Sequence, residues 1–141
     1  MKAEIANKLA DLKKYYDILS EYRKYSLIEI EKDFMLRGAI ERYMQLCLEI
    51  IIEIGEMIIA NECFEKPKKH REVIEILCRH NILPQTFANR FAPAVGLRNI
   101  LVHKYGDVDI RKLHKNLHAD IDDFDTFTKH VSKYLKNKSQ R

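Results

Sequence analysis

The stretch that decides the fold is DFMLRGAIERYMQLCLEIIIEIGEMIIA, residues 33–60. Asp33 is a good N-cap, and the residues after it predict one long helix that continues to about Ala60. A narrow polar stripe repeats along this helix at steps of four residues: Glu41, Gln45, Glu49 and Glu53. We interpret this stripe as a solvated face or as part of an interface. Nearly every other position is apolar, which is more than one helix needs to bury inside a small monomer, so the pattern favours a partner surface.

The rest of the chain continues the helical pattern with short breaks. In all, the spacing of apolar residues predicts five helices with these approximate ranges: 4–25, 33–60, 69–80, 85–105 and 109–136. The sequence Ser26-Leu-Ile-Glu29 has the form of a capping box, so the chain stops and restarts there. We expect a kink at Pro93 because proline removes one hydrogen bond from the helix. Gly106 ends the fourth helix, and Asp109 caps the fifth.

Composition supports the same fold class. The chain has 141 residues, of which only 4 are Gly and 3 are Pro. Few turn-forming residues mean few turns and long elements, which argues against an all-β or a repetitive α/β fold. We therefore predict an all-α bundle of four main helices plus a short one, forming a single domain over residues 1–141.

Cysteine usage and hydropathy indicate the cellular compartment in which the chain is expected. The chain shows no N-terminal apolar run of the kind found in signal peptides, and glutamates flank the triple isoleucine 50–52, so no segment is expected to span a membrane. The three cysteines are odd in number and contain no C-x-x-C pair. This pattern is typical of reduced thiols in a cytoplasm, where Cys47 would serve as a small core hydrophobe.

The net charge of +4 is unevenly distributed. Residues 71–141 carry 13 basic and 8 acidic residues, an excess of five positive charges, and no acidic residue follows Lys129. Such an excess could meet phosphate, although a solvated helix end has the same composition.

Several familiar functional motifs are missing. The sequence has no glycine-rich phosphate loop, no H-E-x-x-H, no G-x-S-x-G and no zinc-type array of Cys and His. His114 and His118 lie four residues apart, with Asp122 one turn further, so three kinds of metal ligand would share one helical face. An exposed helix has the same pattern, and we predict neither a metal nor a cofactor.

One segment concentrates reactive side chains, GLRNILVHKYG at residues 96–106. Asn99 and His103 share a helical face, so the amide could orient the imidazole ring. Arg98 and His103 differ by about 140° around the axis and by ~7.5 Å along it, so they cannot readily meet from a single helix. Two copies packed antiparallel about a two-fold axis would bring Arg98 of one chain near His103 of the other.

These residue types suit the cleavage of RNA without a metal. An imidazole that titrates near its usual pKa of about 6.5 can donate or accept the protons that the reaction moves. A guanidinium matches phosphate oxygens and binds them more strongly as negative charge develops in the transition state. The alternative is that Arg98 and Asn99 make structural hydrogen bonds and that His103 simply caps the helix end.

The pattern R-N-x3-H-x-Y, formed by Arg98, Asn99, His103 and Tyr105, resembles the signature of HEPN-domain ribonuclease toxins, and most closely the HepT-like branch. The likeness extends beyond this motif and covers nearly the whole chain, more weakly over residues 1–30. The other matching features are the run from Arg37 to Leu46, the Asn81–Pro84 break, Gly96-Leu97, and Val108-Asp109.

This resemblance implies a metal-independent endoribonuclease, the toxin of a type VII-like toxin–antitoxin pair. It implies that Arg98 and His103 are catalytic, that Asn99 supports them, and that the active site forms between the two protomers of a symmetric homodimer. The implied partner is a nucleotidyltransferase antitoxin of the MNT type, which would silence the toxin by transferring AMP to Tyr105. The implied substrate is structured RNA, with tRNA favoured.

Two other functions remain open at this point. The same residues could grip phosphate in a non-catalytic HEPN module that binds nucleotide or accompanies a nucleotidyltransferase. Alternatively, the chain could be a plain dimeric helical bundle used for protein interaction.

Overall fold

The fold is entirely helical within residues 1–103 and 109–139, which are the residues that the computed structural model describes, except for the side chains of Val102, His103 and Ser139. In these ranges the α-helices are α1 Lys2–Glu21, α2 Leu27–Lys32, α3 Phe34–Glu62, α4 His70–Arg79, α5 Gln85–Val95, α6 Leu97–His103, α7 Ile110–Lys115 and α8 Asp122–Ser139. A 3-10 turn, Tyr22–Lys24, follows α1, and a π-helical turn, Asn116–Asp120, joins α7 to α8. The predicted all-α fold class is confirmed.

The helix starts that were predicted from capping residues are also confirmed. Ser26 Oγ accepts a hydrogen bond from the Glu29 amide at 3.1 Å, and Glu29 Oε1 accepts one from the Ser26 amide at the same distance, which completes the capping box. Asp33 Oδ1 accepts from two amides of the first turn of α3, each at 3.0 Å. Asp109 Oδ1 accepts from the Arg111 amide at 2.9 Å. These carboxylates and hydroxyls satisfy amides that have no partner within the helix.

The predicted fourth helix is not continuous, and its interruption lies three residues after Pro93. α5 ends at Val95 and α6 begins at Leu97, with Gly96 between them. The Gly96 amide donates to the Pro93 carbonyl at 3.1 Å, and the Asn99 amide donates to the Gly96 carbonyl at 3.3 Å. Both bonds span three residues, so the chain tightens here instead of bending smoothly at proline. The predicted end at Tyr105 and Gly106 lies outside the described residues.

The predicted fifth helix is also divided. In the turn between α7 and α8, the Ile121 amide donates to the Asn116 carbonyl at 3.2 Å, a bond that spans five residues and widens the helix. Arg23 Nε donates to the Leu117 carbonyl at 3.0 Å, so a side chain from the 3-10 turn binds the backbone of the widened turn. The apolar periodicity of this segment nevertheless faces the core: Tyr134 is half-buried, and the buried residues are Leu113, Leu117, Ile121, Phe124, Phe127, Val131 and Leu135.

α3 is the centre of the bundle and packs against α1, α4, α6 and α8. Gly55 allows α4 to approach closely, because a Cβ atom at residue 55 would lie 2.2 Å from Val73 Cγ1. Cys47 is fully buried, as predicted, and burial raises the pKa of its thiol to about 12. No helix in the described part of the chain is both long enough and apolar enough to cross a membrane.

The bundle leaves part of the apolar surface of α3 uncovered. Phe34 and Met35, in its first turn, are 84% and 87% exposed. Further along, a row of apolar side chains is only half-buried: Leu36, Tyr43, Leu46, Ile50 and Met57. The excess of apolar residues read from the sequence is therefore present on the folded chain.

Candidate functional site

Arg98 lies in the first turn of α6, a short helix held against the core by its apolar residues. Leu101 is 2% exposed, and Leu97 is half-buried against the same core. α6 packs on α3 and α5. Ile100, between Arg98 and His103, is by contrast 44% exposed. The helix is therefore anchored on one side while its other side presents both polar and apolar groups to the exterior.

The guanidinium of Arg98 meets a carboxylate of α3. Arg98 Nη2 lies 3.6 Å from Glu49 Oε1, and both side chains are about a quarter exposed. Gln45 Nε2 donates to the same Oε1 atom at 3.0 Å, which fixes the carboxylate from one turn earlier. Arg98 Nη1 also donates to Asn99 Oδ1 at 3.4 Å, a long contact. The cation of the motif thus has a defined position on the bundle surface and keeps access to solvent.

The polar stripe of α3 is more than a solvated face, so that part of our interpretation was wrong. Glu41 is buried, and its Oε1 accepts from Arg37 Nε at 3.1 Å. Glu49 contacts Arg98 on α6, as described above. Glu53 forms an ion pair with Lys8 of α1 at 2.5 Å. The stripe therefore consists largely of carboxylates that pair with cations of α1, α3 and α6.

The structure places only part of the predicted site. Arg98 and Asn99 are adjacent on α6, and Asn99 is exposed. The backbone of His103 belongs to the same helix, but its side chain lies outside the described residues, as does all of Tyr105. The contact between Asn99 and the His103 ring that the spacing predicts is therefore untested. Glu49 and Gln45 were not identified as site residues, although their place in the stripe was noted.

The geometry at Arg98 suits reversible binding of an anion. A guanidinium presents five N–H donors in a planar fork, and Glu49 engages it with a single oxygen at a long distance. An incoming phosphate can bind the remaining donors in a bidentate manner without first breaking a buried ion pair. Because the group is only partly exposed, its attraction for phosphate is screened less than that of a free surface arginine.

His114 and His118 lie side by side, but Asp122 does not join them. Their ring centres are 4.3 Å apart, whereas Asp122 Oδ1 accepts from Tyr16 Oη and from Arg23 Nη2, each at 2.8 Å. Burial, and then the neighbouring His118, lower the pKa of His114 below its usual 6.5. Among the residues that can be described, no group of three or more His, Cys, Asp or Glu side chains is arranged to hold a metal ion.

A groove of about 720 Å³ lies between the ends of α3, α4 and α8. It is far from Arg98, because Glu62 in its wall lies 13 residues beyond Glu49, or about 20 Å along α3. Glu62 accepts hydrogen bonds there from Tyr134 and Lys138. Lys138 and the other basic residues of this wall lie near helix C-termini, where positive charge stabilises the helix dipole.

The chain is similar to a known family of ribonucleases and to two curated nucleases. The family model described as "Ribonuclease HepT-like" matches residues 12–131. Two curated relatives are each 27% identical to the chain. One is the tRNA nuclease HepT of Aphanizomenon flos-aquae, which aligns over 93% of this chain and 89% of its own length. The other is the mRNA nuclease HepT of Shewanella oneidensis, which aligns over 87% of this chain and 92% of its own length.

Solved structures show the same fold. One is the tri-AMPylated HEPN toxin of Shewanella oneidensis in complex with an MNT antitoxin. It matches with a TM-score of 0.82 and 24% identity, over 92% of this chain and 96% of that chain. The overall helical fold described above therefore occurs in a known HEPN structure.

Proposed function

Because the chain belongs to the ribonuclease HepT-like family, we propose that it is an endoribonuclease that acts as the toxin of a toxin–antitoxin pair. Arg98 and His103 are the catalytic residues of this proposal, and Asn99 supports them. Arg98 binds the scissile phosphate and stabilises the charge that develops on its oxygens. His103 transfers a proton to or from the reacting oxygens. The reaction needs no metal in this scheme, because both roles are filled by side chains.

The observation that carries the proposal is the state of Arg98. Its guanidinium is anchored on α6 and is about a quarter exposed, and among the described residues its polar contacts are one long ion pair to Glu49 and one long hydrogen bond to Asn99. A purely structural arginine would be expected to pair as Arg90 does. Arg90 makes hydrogen bonds to both carboxylate oxygens of Asp123, at 3.0–3.2 Å. The looser contact at Arg98 leaves donors for a phosphate.

The active site of this proposal is composite. Arg98 and His103 belong to one helix, but their positions differ by about 140° around its axis and by ~7.5 Å along it, so one α6 is not expected to present both to the same phosphate. A two-fold axis near α6 would pair Arg98 of one protomer with His103 of its partner. Two features support a homodimer with this geometry. They are the exposed Ile100 on α6 and the exposed Phe34 and Met35 at the start of α3.

The proposed partner is an MNT-type nucleotidyltransferase antitoxin that transfers AMP to Tyr105. The Shewanella oneidensis HEPN toxin of the same fold is tri-AMPylated in its complex with MNT antitoxin. Tyr105 follows His103 by two residues in this chain. An AMP group there would bring a charged nucleotide into the cleft and repel the phosphate backbone of a substrate.

The proposed substrate is RNA, with tRNA favoured. One relative is named as a tRNA nuclease and the other as an mRNA nuclease. The tRNA nuclease aligns with the larger share of this chain, 93% against 87%. A toxin with such a substrate acts in the cytoplasm, where its three cysteines would remain as free thiols.

The direct test compares the wild-type protein with the His103→Ala variant in cleavage of purified tRNA. We expect the wild type to cleave in the presence of EDTA and the variant to lose cleavage while it keeps its helicity and its dimeric state. His130→Ala is the matched control, since His130 lies on α8 beside Phe87 and outside the motif. Cleavage that persists in His103→Ala would remove His103 from the mechanism. A wild-type protein that binds tRNA without cleaving it would instead indicate a non-catalytic HEPN module.

A further inference from the structure

Four tyrosines lie next to one another on the surface formed by α1, the 3-10 turn and α3. In spatial order this tyrosine row is Tyr15, Tyr43, Tyr22 and Tyr25. Successive ring centres are 6.0, 6.2 and 6.3 Å apart, and the ring planes are tilted by 29–38°. All four side chains are half-buried. The row therefore presents a continuous aromatic surface of which a substantial part faces solvent.

A lysine lies over the ring at each end of the row. Lys14 Nζ is 5.8 Å from the ring centre of Tyr15, and Lys24 Nζ is 5.4 Å from that of Tyr25. Both lysines are exposed, and within the described ranges neither forms an ion pair. The ammonium groups are thus attracted to the aromatic rings and remain available to an anion.

The hydroxyl groups of the row do not explain why these residues are tyrosines. Elsewhere the protein uses tyrosine hydroxyls internally, since Tyr16 donates to Asp122 and Tyr134 donates to Glu62. In the described part of the chain, no hydrogen bond joins a row hydroxyl to another protein group. Buried tyrosines usually find such a partner, so the hydroxyls do not fix these four side chains in the bundle. Their half-buried aromatic rings are a feature of a contact surface.

The row is linked to Arg98 through α3. Tyr43 precedes Glu49 by six residues on α3, which places the two about 9 Å apart along the axis and roughly a third of a turn apart around it. Glu49 contacts Arg98 directly. A nucleic-acid strand whose phosphate is bound at Arg98 would therefore reach the row by passing around this third of a turn of α3.

We propose that the tyrosine row stacks on the bases of single-stranded RNA next to the cleaved bond, while Lys14 and Lys24 bind its phosphates. This inference rests on the proposed ribonuclease function and adds the structural class of the RNA that the site accepts. Aromatic side chains interleaved with cations are the usual platform for unpaired bases, because every base has a face that can stack. Lysines at both ends favour RNA over a protein partner, because lysine is depleted in the cores of protein interfaces.

The test measures binding of a short fluorescein-labelled single-stranded RNA by fluorescence anisotropy, with the full chain carrying His103→Ala to prevent cleavage. We expect Tyr15→Leu to weaken binding by about 5- to 150-fold, which corresponds to the roughly 1–3 kcal/mol of one stacked base. Tyr15→Phe should retain the affinity, because the ring face is preserved. The chain contains no Trp, so quenching of tyrosine fluorescence by the RNA gives a second readout.

Two controls separate stacking from other effects. Phe64→Leu removes a half-buried ring beyond the far end of α3, where Phe64 stacks on His80, and should leave binding unchanged. An abasic oligonucleotide of equal length should bind less tightly than the RNA to the protein with the intact row. It should bind that protein and the Tyr15→Leu variant with the same affinity, because it has no base to stack. Far-UV circular dichroism and light scattering confirm that each variant keeps its helices and its oligomeric state.

Three results would overturn the inference. The first is unchanged RNA affinity in Tyr15→Leu, and the second is an equal loss in Phe64→Leu. The third is dissociation of a wild-type dimer by Tyr15→Leu, which would assign the row to an interface between protein chains. Failure of the proposed function is a separate result, because it requires that the protein with His103 intact does not cleave RNA.

Discussion

Arg98 Nη2 lies 3.6 Å from Glu49 Oε1, so the cation of the R-N-x3-H-x-Y motif meets a carboxylate from the central helix of its own protomer. The contact has two consequences for the proposed chemistry. It fixes where the guanidinium lies in the absence of RNA, with Gln45 holding the carboxylate in turn. It also places a negative charge beside the position of the scissile phosphate, so Glu49 competes with the substrate for the same donors.

The first prediction concerns this competition. Glu49→Gln should lower the free energy of unfolding by less than about 1 kcal/mol, because a partly exposed ion pair at a long distance contributes little. The same change should tighten RNA binding by about twofold to fivefold, since a like charge some 4 Å from the phosphate costs up to about 1 kcal/mol in water. Urea denaturation and RNA anisotropy in the His103→Ala background provide the two measurements.

The matched control is Glu53→Gln. Glu53 lies one turn further along α3 and pairs with Lys8 instead of Arg98, so it should change stability by a similar amount and leave RNA affinity unaltered. Weaker RNA binding in Glu49→Gln would show that the carboxylate serves to align Arg98 and that its competition with phosphate is negligible.

The second prediction follows from the link between Asp122, Tyr16 and Arg23. The hydrogen bond from Tyr16, and then that from Arg23, hold the pKa of Asp122 below its ordinary value of 3.8. A carboxyl with a depressed pKa in the folded state stabilises the protein above its unfolded pKa, and this contribution is lost as pH falls through the folded value. We therefore expect Asp122→Asn to reduce stability at pH 7 and to have little effect near pH 2.

Because Asp122 is 61% exposed, the free energies of unfolding of the wild type and Asp122→Asn at neutral pH should differ by less than about 1 kcal/mol. Urea titrations of the wild type and the variant across this pH range measure it. Asp125→Asn is the control, since Asp125 also lies in the first turn of α8 but pairs with Lys129. A destabilisation by Asp122→Asn that is independent of pH would contradict the assignment.

The helices were predictable from sequence because their starts are set locally. Asp33, Asp109 and the Ser26–Glu29 capping box each satisfy amides within a few residues, so a short motif determines each helix start. The interruption of the fourth predicted helix was expected at Pro93 but lies at Gly96, and the break inside the fifth was not predicted. The widened turn accepts a hydrogen bond from Arg23, which lies 94 residues away from Leu117, and apolar periodicity within one segment does not show such a contact.

The candidate site, like the fold, was only partly predictable from the sequence. Arg98 and Asn99 were identified because their types and spacing are visible in one short segment. The roles of Glu49 and the tyrosine row were missed because their partners come from different helices: Glu49 contacts α6 from α3, and the row combines α1, the 3-10 turn and α3. The polar stripe at steps of four was the available signal for Glu49, but solvation explains such a stripe equally well from sequence alone.

The third prediction tests the close packing of α3 and α4. Gly55→Ala should destabilise the fold by about 1–3 kcal/mol, because the added methyl group would lie 2.2 Å from Val73 Cγ1 and overpack the core. The usual helix preference of Ala over Gly, about 1 kcal/mol, acts in the opposite direction and is outweighed. Val73→Ala in the same chain should recover part of the loss. A more stable Gly55→Ala protein in urea titrations would show that α4 simply moves outward.

The fourth prediction concerns modification at Tyr105. Incubation with an MNT-type nucleotidyltransferase and ATP should increase the mass of the wild-type protein by one or more AMP units and should stop RNA cleavage. Tyr105→Phe should gain no mass and should remain active in the presence of the antitoxin. Tyr134→Phe changes a tyrosine of α8 whose hydroxyl donates a hydrogen bond to Glu62 of α3, and this variant should still be modified. Intact-protein mass spectrometry decides between these outcomes, and a Tyr105→Phe protein that gains AMP would place the acceptor elsewhere.

The fifth prediction tests whether the active site is shared between protomers. Arg98→Ala and His103→Ala should each be inactive alone, because each homodimer lacks one member of both sites. Subunit exchange between them creates heterodimers in which one site has both defective residues and the other has neither. With random exchange, half of the dimers would be mixed and each would have one working site, so we expect recovery of about a quarter of wild-type cleavage.

The recovery must depend on exchange if the site is composite. Mixing the two variants under conditions in which the subunits do not exchange should restore no activity, and a double variant with both substitutions in one chain should never be rescued by either single variant. A site built within one protomer predicts no recovery under any mixing condition, since every chain would carry a defective pair. Mass spectrometry of intact dimers shows whether the subunits have exchanged. If mixed dimers form and RNA cleavage does not recover, the shared site is rejected, while the individual roles of Arg98 and His103 remain.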